Sequence, residues 1–180
     1  MEKLFNDSET FQKERPTKIT EQQENEVYSK LANEIIDNGW CVDESEEDII
    51  FDLKHLSRYD SGFEMAKMLE GFNMNCNYEI NTDFIYWLDD FEYNFKKVLE
   101  QNIKDWVNAK NPKPLFEKGQ RLIVTEFINY KLKKDIVVYV NGFREETACY
   151  LIDPNPDKEG GIVLAYEDIE KKCIIFKDEK

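Results

Sequence analysis

The chain has 180 residues, 41% of them hydrophobic and 13% aromatic, so it can build one core or two small ones and is not globally disordered. Its formal net charge of −14 is unevenly spread: residues 21–110 carry twenty-one acids against eight bases, residues 111–180 thirteen against twelve. A segment at −13 repels phosphate backbones, which argues against direct DNA binding by that part and makes basic surfaces its natural partners.

Residues 1–19 read as a polar, charge-balanced, mobile arm. A helix is predicted to start at Thr20, with Gln23 completing a capping box. Val27, Leu31 and Ile35 recur every four residues, Tyr28, Ala32 and Ile36 widen the stripe, and Gly39 is the expected stop. Ser45 and Asp48 mark a second start, ahead of Ile49, Ile50, Leu53 and Leu56. Ser61 and Glu64 mark a third, ahead of Phe63, Ala66 and Leu69, and Gly71 closes that helix. Asn81 or Thr82 caps a fourth helix carrying Phe84, Ile85 and Leu88. The longest helix is predicted from Asp90 to about Lys110, with Phe91, Phe95, Val98, Leu99, Ile103, Trp106 and Val107 on one face. "DIIFDL" (48–53) and "DFIYWL" (83–88) echo each other 35 residues apart, which would suit two helix–turn–helix units.

At "NAKNPKPLFEKG" (108–119) the helical period ends, and 111–118 read as a linker. Beyond it, "RLIVTEFI", "DIVVYV", "ACYLID", "GIVLAYE" and "KCIIFK" are β-branched and aromatic runs. Asn141-Gly142, "PNPDKEGG" and "EDIEKK" supply the turn signals between them, with Gly160-Gly161 in a hairpin turn. Five short strands in about sixty residues predict a small antiparallel barrel or meander. The fold class is therefore α+β: an acidic helical domain over 20–110 followed by a small β domain over 119–180. "LFEKGQRLIVTE" and "GGIVLAYEDIE" resemble the first and last strands of an SH3-like barrel over residues 115–170, and that resemblance implies a binding or scaffolding module.

Few chemistries fit. His55 is the one histidine and stands in a predicted helix with no nucleophile elbow near it. Cys41, Cys76, Cys149 and Cys173 are widely spaced with no CxxC pair, so free cytosolic thiols are expected, and neither a zinc site nor a disulfide framework. There is no phosphate-binding glycine loop. No apolar run is long enough to cross a membrane, and the first twenty residues lack the apolar stretch of a signal peptide, so the expected location is cytoplasmic. Asp89, Asp90, Glu92 and Glu126 would suit a metal-dependent nuclease only if they converged on ions, and the charge of the segment would repel the substrate. "DESEEDIIFD" lacks the glycine and the alternating ligands of a calcium loop, and acids at a helix N-terminus explain it more simply. No catalytic residue, metal or cofactor is assigned.

The stretch "DFIYWLDDFEYNF" (83–95) holds six aromatic and four acidic residues and no base. On a helix, Phe84, Ile85, Leu88, Phe91 and Phe95 face one side, while Tyr86, Trp87, Asp90 and Tyr93 fall partly elsewhere. Carboxylates one turn apart lie roughly 5–6 Å from each other at Cβ, similar to the phosphate step, and rings beside them could stand in for bases. "DESEED" (43–48), "EINTDFIYWLDDFE" (79–92) and the charge contrast resemble the acidic nucleic-acid mimics with which phages and mobile elements inhibit restriction and CRISPR nucleases. The resemblance implies a non-catalytic inhibitor that docks on the basic channel of a CRISPR effector or restriction nuclease. The expected contact residues are Asp43, Glu44, Glu46, Glu47, Asp48, Tyr86, Trp87, Asp89, Asp90, Glu92 and Tyr93. Two alternatives stand beside it: a general interaction or regulatory module with no inhibitory role, and a carboxylate- and metal-dependent enzyme. In a further variant the β domain reads nucleic acid through Lys131, Lys133, Lys134 and Arg144.

Overall fold

A computed structural model of the chain describes residues 14–41, 45–71, 74–128 and 131–176, with the side chain of Glu170 excepted. Asp43, Glu44 and most of the expected arm (1–13) lie outside these residues. The architecture is α+β, helical in its first part and an antiparallel sheet in its second. The chain divides into two compact units between Asn102 and Ile103, inside its longest helix.

The first unit contains α1 (Glu21–Asp37), α2 (Glu46–Lys54), α3 (Gly62–Leu69), α4 (Thr82–Asp89) and the first part of α5 (Phe91–Lys110). Each of α1 to α4 starts where a short polar side chain can accept a backbone N–H that the helix leaves unpaired. Thr20 takes that of Gln23 and completes the capping box, Ser45 that of Asp48, Ser61 that of Glu64 and Asn81 that of Phe84. At the end of α1, Gly39 adopts φ +69°. The N–H of Gly39 then bonds the Ile36 carbonyl at 2.9 Å and that of Trp40 the Ile35 carbonyl at 3.1 Å, the paired closure that a left-handed residue permits.

The apolar stripes meet in one core. Val27, Tyr28, Leu31, Ala32 and Ile35 of α1 pack with Ile49 and Leu53 of α2, Met65, Ala66 and Leu69 of α3, Phe84 and Leu88 of α4, and Phe91 and Phe95 of α5. The predicted stripes err at their margins. Ile36 and Phe63 are exposed, and Met65 is buried in α3 where Phe63 was expected. α1 packs on α2 and α3 on α4. The two echoing hexapeptides occupy α2 and α4 with matched burial: Ile49 and Phe84 are buried, as are Leu53 and Leu88, while Phe51 and Tyr86 are exposed. They part at Asp52 and Trp87, the fifth position of each.

In the second unit β1 (Arg121–Val124), β2 (Val137–Arg144), β3 (Cys149–Asp153), β4 (Ile162–Ala165) and β5 (Cys173–Ile175) form one antiparallel sheet in the order β4-β3-β2-β1-β5. Alternation puts Leu122, Val124, Val138, Val140, Tyr150, Ile152 and Leu164 into its core, with Ile169 and Cys173. The Tyr150 hydroxyl accepts the N–H groups of Leu115 (2.5 Å) and Phe116 (3.3 Å), which ties the expected linker to the sheet.

Three expectations about this unit are corrected. The sheet is open and not a closed barrel: β4 and β5 are its edges, and α6 (Tyr166–Lys172) stands between them in the chain. "EDIEKK" is therefore part of a helix, not a turn, because Ile169 is buried and gives the charged run one apolar contact with the core. Asn141-Gly142 lies inside β2 at a register shift between Val140 and Gly142, and the chain reverses after Arg144 through a short 3-10 turn ending at Ala148 with φ +45°. The Asn141 amide instead donates to the carbonyls of Asn155, Lys158 and Gly160, pinning the β3–β4 connection. There Gly161 adopts φ +137° with the Ile152 carbonyl oxygen 2.7 Å from where a Cβ would stand, so the expected glycine turn is present.

Candidate interaction surface

The acidic aromatic stretch spans two helices with Asp90 between them. α4 buries Phe84 and Leu88 completely, and α5 buries Phe91 and Phe95 against Tyr28, at ring centroid distances of 6.3 and 5.2 Å. Ile85 is half-buried. Tyr86 is 67% exposed and Tyr93 48% exposed, so these two rings face solvent as expected.

Trp87 does not. Its ring packs on Trp40 (5.6 Å) and Phe84 (5.7 Å), and its Nε1–H donates to Glu34 Oε2 at 3.0 Å. The hydrogen bond reaches from α4 to α1, satisfies a polar atom in a partly buried place, and removes Trp87 from the list of stacking platforms.

The carboxylates also separate into engaged and open. Asp89 Oδ1 accepts the backbone N–H of Gly62 at 2.6 Å, so it holds the first turn of α3 against the last turn of α4. Gly62 is required there. A Cβ would overlap the carbonyl oxygen of Ile85 and stand 2.8 Å from the Asp89 nitrogen. Glu92 pairs with Lys96 at 2.7 Å one turn on, an intrahelical ion pair worth only a few tenths of a kcal/mol, about 0.3–0.5. Glu46 accepts a hydrogen bond from Ser29 Oγ on α1, while Asp48 is bonded by the Ser45 hydroxyl at 2.6 Å. Glu47, Asp83 and Asp90 are exposed.

The Gly62–Asp89 contact adds residues that the sequence did not single out. It brings the segment around Ser61 to the end of α4, so exposed Asp60, Phe63 and Glu64 join the neighbourhood of Asp89 and Asp90. Their signal was present as a cap signature and was read only as such. Cations of the chain already sit on two of the exposed rings: Lys67 Nζ lies 4.4 Å from the Phe63 centroid and Lys97 Nζ 4.3 Å from that of Tyr93.

Behind this surface two polar groups organise the core. Arg58 lies over Phe95 at 3.6 Å and donates to Tyr28 Oη at 3.1 Å and to Glu24. Burial works against its charge, but the bonds to Tyr28 and Glu24 outweigh that and raise its pKa. Asp52 is fully buried and accepts from the N–H groups of Asn75 (2.8 Å) and Cys76 (3.0 Å) and from the Tyr78 hydroxyl (3.1 Å). The neighbouring Cys76 thiol and Tyr78 phenol are both held up, chiefly by desolvation, and stay protonated.

Among the described residues the histidine has no reactive partner. His55 caps the end of α2, its Nδ1 2.8 Å from the Phe51 carbonyl oxygen and its ring on Phe51. The Cys173 thiol is pushed up to about 11 by burial. Among the described residues no three His, Cys, Asp or Glu side chains converge as ligands for a metal ion. No helix among them is long and apolar enough to cross a membrane. Comparison with family models, with curated proteins and with solved structures found no match to this chain.

Proposed function

We propose that the protein is a non-enzymatic inhibitor whose helical unit docks on the basic nucleic-acid-binding surface of a nuclease, in the manner of anti-CRISPR or anti-restriction mimics. The observation that carries this reading is the combination of a −13 segment with exposed rings set among open carboxylates at the α3–α4–α5 junction. The field of the segment draws a basic groove toward it, and the carboxylates and rings match the phosphates and bases such a groove accepts. Asp83, Asp90 and Glu47 carry the contact with Tyr86, while Glu64 and Tyr93, already engaged by Lys67 and Lys97, stand at its edge. Trp87 shapes the surface from within, and Asp89, exposed while one oxygen holds the Gly62 amide, belongs to both surface and framework.

The test is capture of a basic nuclease from a nuclease-treated lysate of a CRISPR- or restriction-positive host, followed by a DNA-cleavage assay with purified partner. Binding is expected at low salt, weakened at high salt as screening shortens the reach of exposed charges, with cleavage inhibited at one-to-one stoichiometry. Asp83→Asn, Asp90→Asn and Glu47→Gln, which leave the Gly62–Asp89 bond intact, should weaken inhibition step by step. Recovery of neutral partners alone, or cleavage that proceeds undiminished, sinks the reading.

A second reading, a general interaction module, is favoured by the open sheet: Val163 on one edge strand and Ile174 and Ile175 on the other are exposed in the nearly neutral half of the chain. It predicts that Ile174→Lys, and not the carboxylate changes, abolishes partner capture.

A further inference from the structure

The exposed rings of the helical unit differ in whether the chain already supplies them with a cation. Phe63 and Tyr93 each have a lysine four residues on, at 4.4 and 4.3 Å from the ring centroid. Carboxylates beside them are taken too, Glu64 by Lys67 at 3.2 Å and Glu92 by Lys96 at 2.7 Å. Tyr86 is the more exposed ring on a helix, and the residue four positions on is Asp90, not a lysine. Asp83 lies three positions before it. Both carboxylates are exposed, and among the described residues no cation of the chain sits over this ring.

We propose that Tyr86, flanked by Asp83 and Asp90 one helical turn to either side, receives an arginine side chain of the partner in preference to a lysine. The assignment rests on the reading that the α4 face is a docking surface, and it names the chemistry that face selects. The chain contains its own precedent: the Arg58 guanidinium lies flat enough over Phe95 to approach 3.6 Å from the centroid while donating to the Glu24 carboxylate and the Tyr28 hydroxyl. Ring and carboxylate together hold one guanidinium there. At Tyr86 the same two elements stand open to solvent.

Arginine fits better than lysine for three physical reasons. Its guanidinium is planar and stacks on a ring while its N–H fork still reaches a carboxylate at the ring edge. It is more weakly hydrated than an ammonium, so it loses less on leaving water. Asp83 and Asp90 lie one turn to either side of the ring, so a guanidinium stacked on it can donate from its edge toward either one, whereas an ammonium must leave the ring face to approach a carboxylate. Asp89 adds to the field, with its Oδ1 held by the Gly62 amide and the residue exposed.

The test titrates the 15N-labelled full chain with two peptides of equal length and charge, one with alternating arginine and glycine, the other with alternating lysine and glycine. The arginine peptide should bind about 2–5-fold more tightly, the worth of one exposed cation–π contact. Tyr86→Ala should erase that preference by lowering the arginine affinity more than the lysine affinity, Tyr86→Phe should keep it, and the amide spectrum verifies that each variant is folded. Equal affinities for the two peptides, or a preference that survives Tyr86→Ala, overturns the assignment. An arginine preference that depends on Tyr86 supports it even where no nuclease is inhibited, which would remove the inhibitor reading alone. A nuclease inhibited equally by wild type and Tyr86→Ala, with equal peptide affinities, removes the arginine assignment alone.

Discussion

Among the described residues each unit buries one carboxylate, and the two are satisfied in opposite ways. Asp52, in the helical unit, is fully buried and is held by two backbone amides and a phenol, all neutral donors. Asp153, in the β unit, is 6% exposed and is held by the Lys158 ammonium at 2.8 Å and the Asn155 amide at 3.0 Å. The difference follows the charge map. Where bases are outnumbered twenty-one to eight, a buried acid relies on backbone dipoles; where acids and bases nearly balance, a lysine stands close enough in sequence to serve. Neutral donors confer a geometry that salt does not screen, whereas an ion pair with a half-exposed lysine depends on solvent conditions.

The comparison can be broken most forcefully at Asp52. Asp52→Ala leaves the Asn75 and Cys76 amides without their acceptor, and each buried unsatisfied donor costs about 1–3 kcal/mol. The expected loss of about 3 kcal/mol in urea denaturation should be the same at low and high salt. A loss that changes strongly with salt would mean that Asp52 acts through a cation after all.

A smaller effect is expected from Gly62→Ala. The added Cβ meets the backbone of Ile85 and Asp89, so α3 and α4 must separate, at a cost of about 1–3 kcal/mol that the better helix propensity of alanine does not offset. Thermal unfolding reads this directly. A variant as stable as wild type would show that the Asp89 carboxylate is free to serve the surface.

The smallest effect belongs to Lys158→Met. The lysine bond, first, and the Asn155 amide hold the Asp153 carboxyl below the usual carboxylate range. A depressed folded pKa contributes stability above the ordinary pKa of the group, lost as pH falls through the folded value. Lys158→Met should therefore cost about 0.5–1 kcal/mol near neutrality and nothing at a pH low enough to protonate Asp153 in the wild type. Carboxyl NMR of Asp153 should show its titration moving upward. An unchanged titration would assign the shift to the Asn155 amide.

Local signals carried far in this chain. The capping side chains Thr20, Ser45, Ser61 and Asn81 each act on the amide three residues on, so their role is written in short windows. The stripe of α1 and the long run of α5 are likewise periodic over several turns. Signals failed where a distant partner outweighed the local pattern. Asn141-Gly142 has turn chemistry, yet the Asn141 amide finds three carbonyls between Asn155 and Gly160 and the pair stays in a strand. "EDIEKK" looks like a charged turn because Ile169 is its only apolar residue of size, and that buried side chain, with Tyr166 packed on the same core at the helix start, docks two turns of helix. Asp52 was invisible, because nothing in "DIIFDL" distinguishes a carboxylate bound for the core from one bound for water.

The α+β order, four helix starts, the strand runs and the concentration of charge between residues 21 and 110 were determined by the sequence itself, since each depends on residues within a turn or two of one another. Tertiary structure decided which side chains of the acidic stretch are open. Trp87 is claimed by Glu34 from 53 residues away and one oxygen of the exposed Asp89 by Gly62 from 27, while Asp83, Tyr86 and Asp90 are left to solvent. Spacing along one helix sets which residues share a face; only the neighbouring helix sets which of them already have a partner.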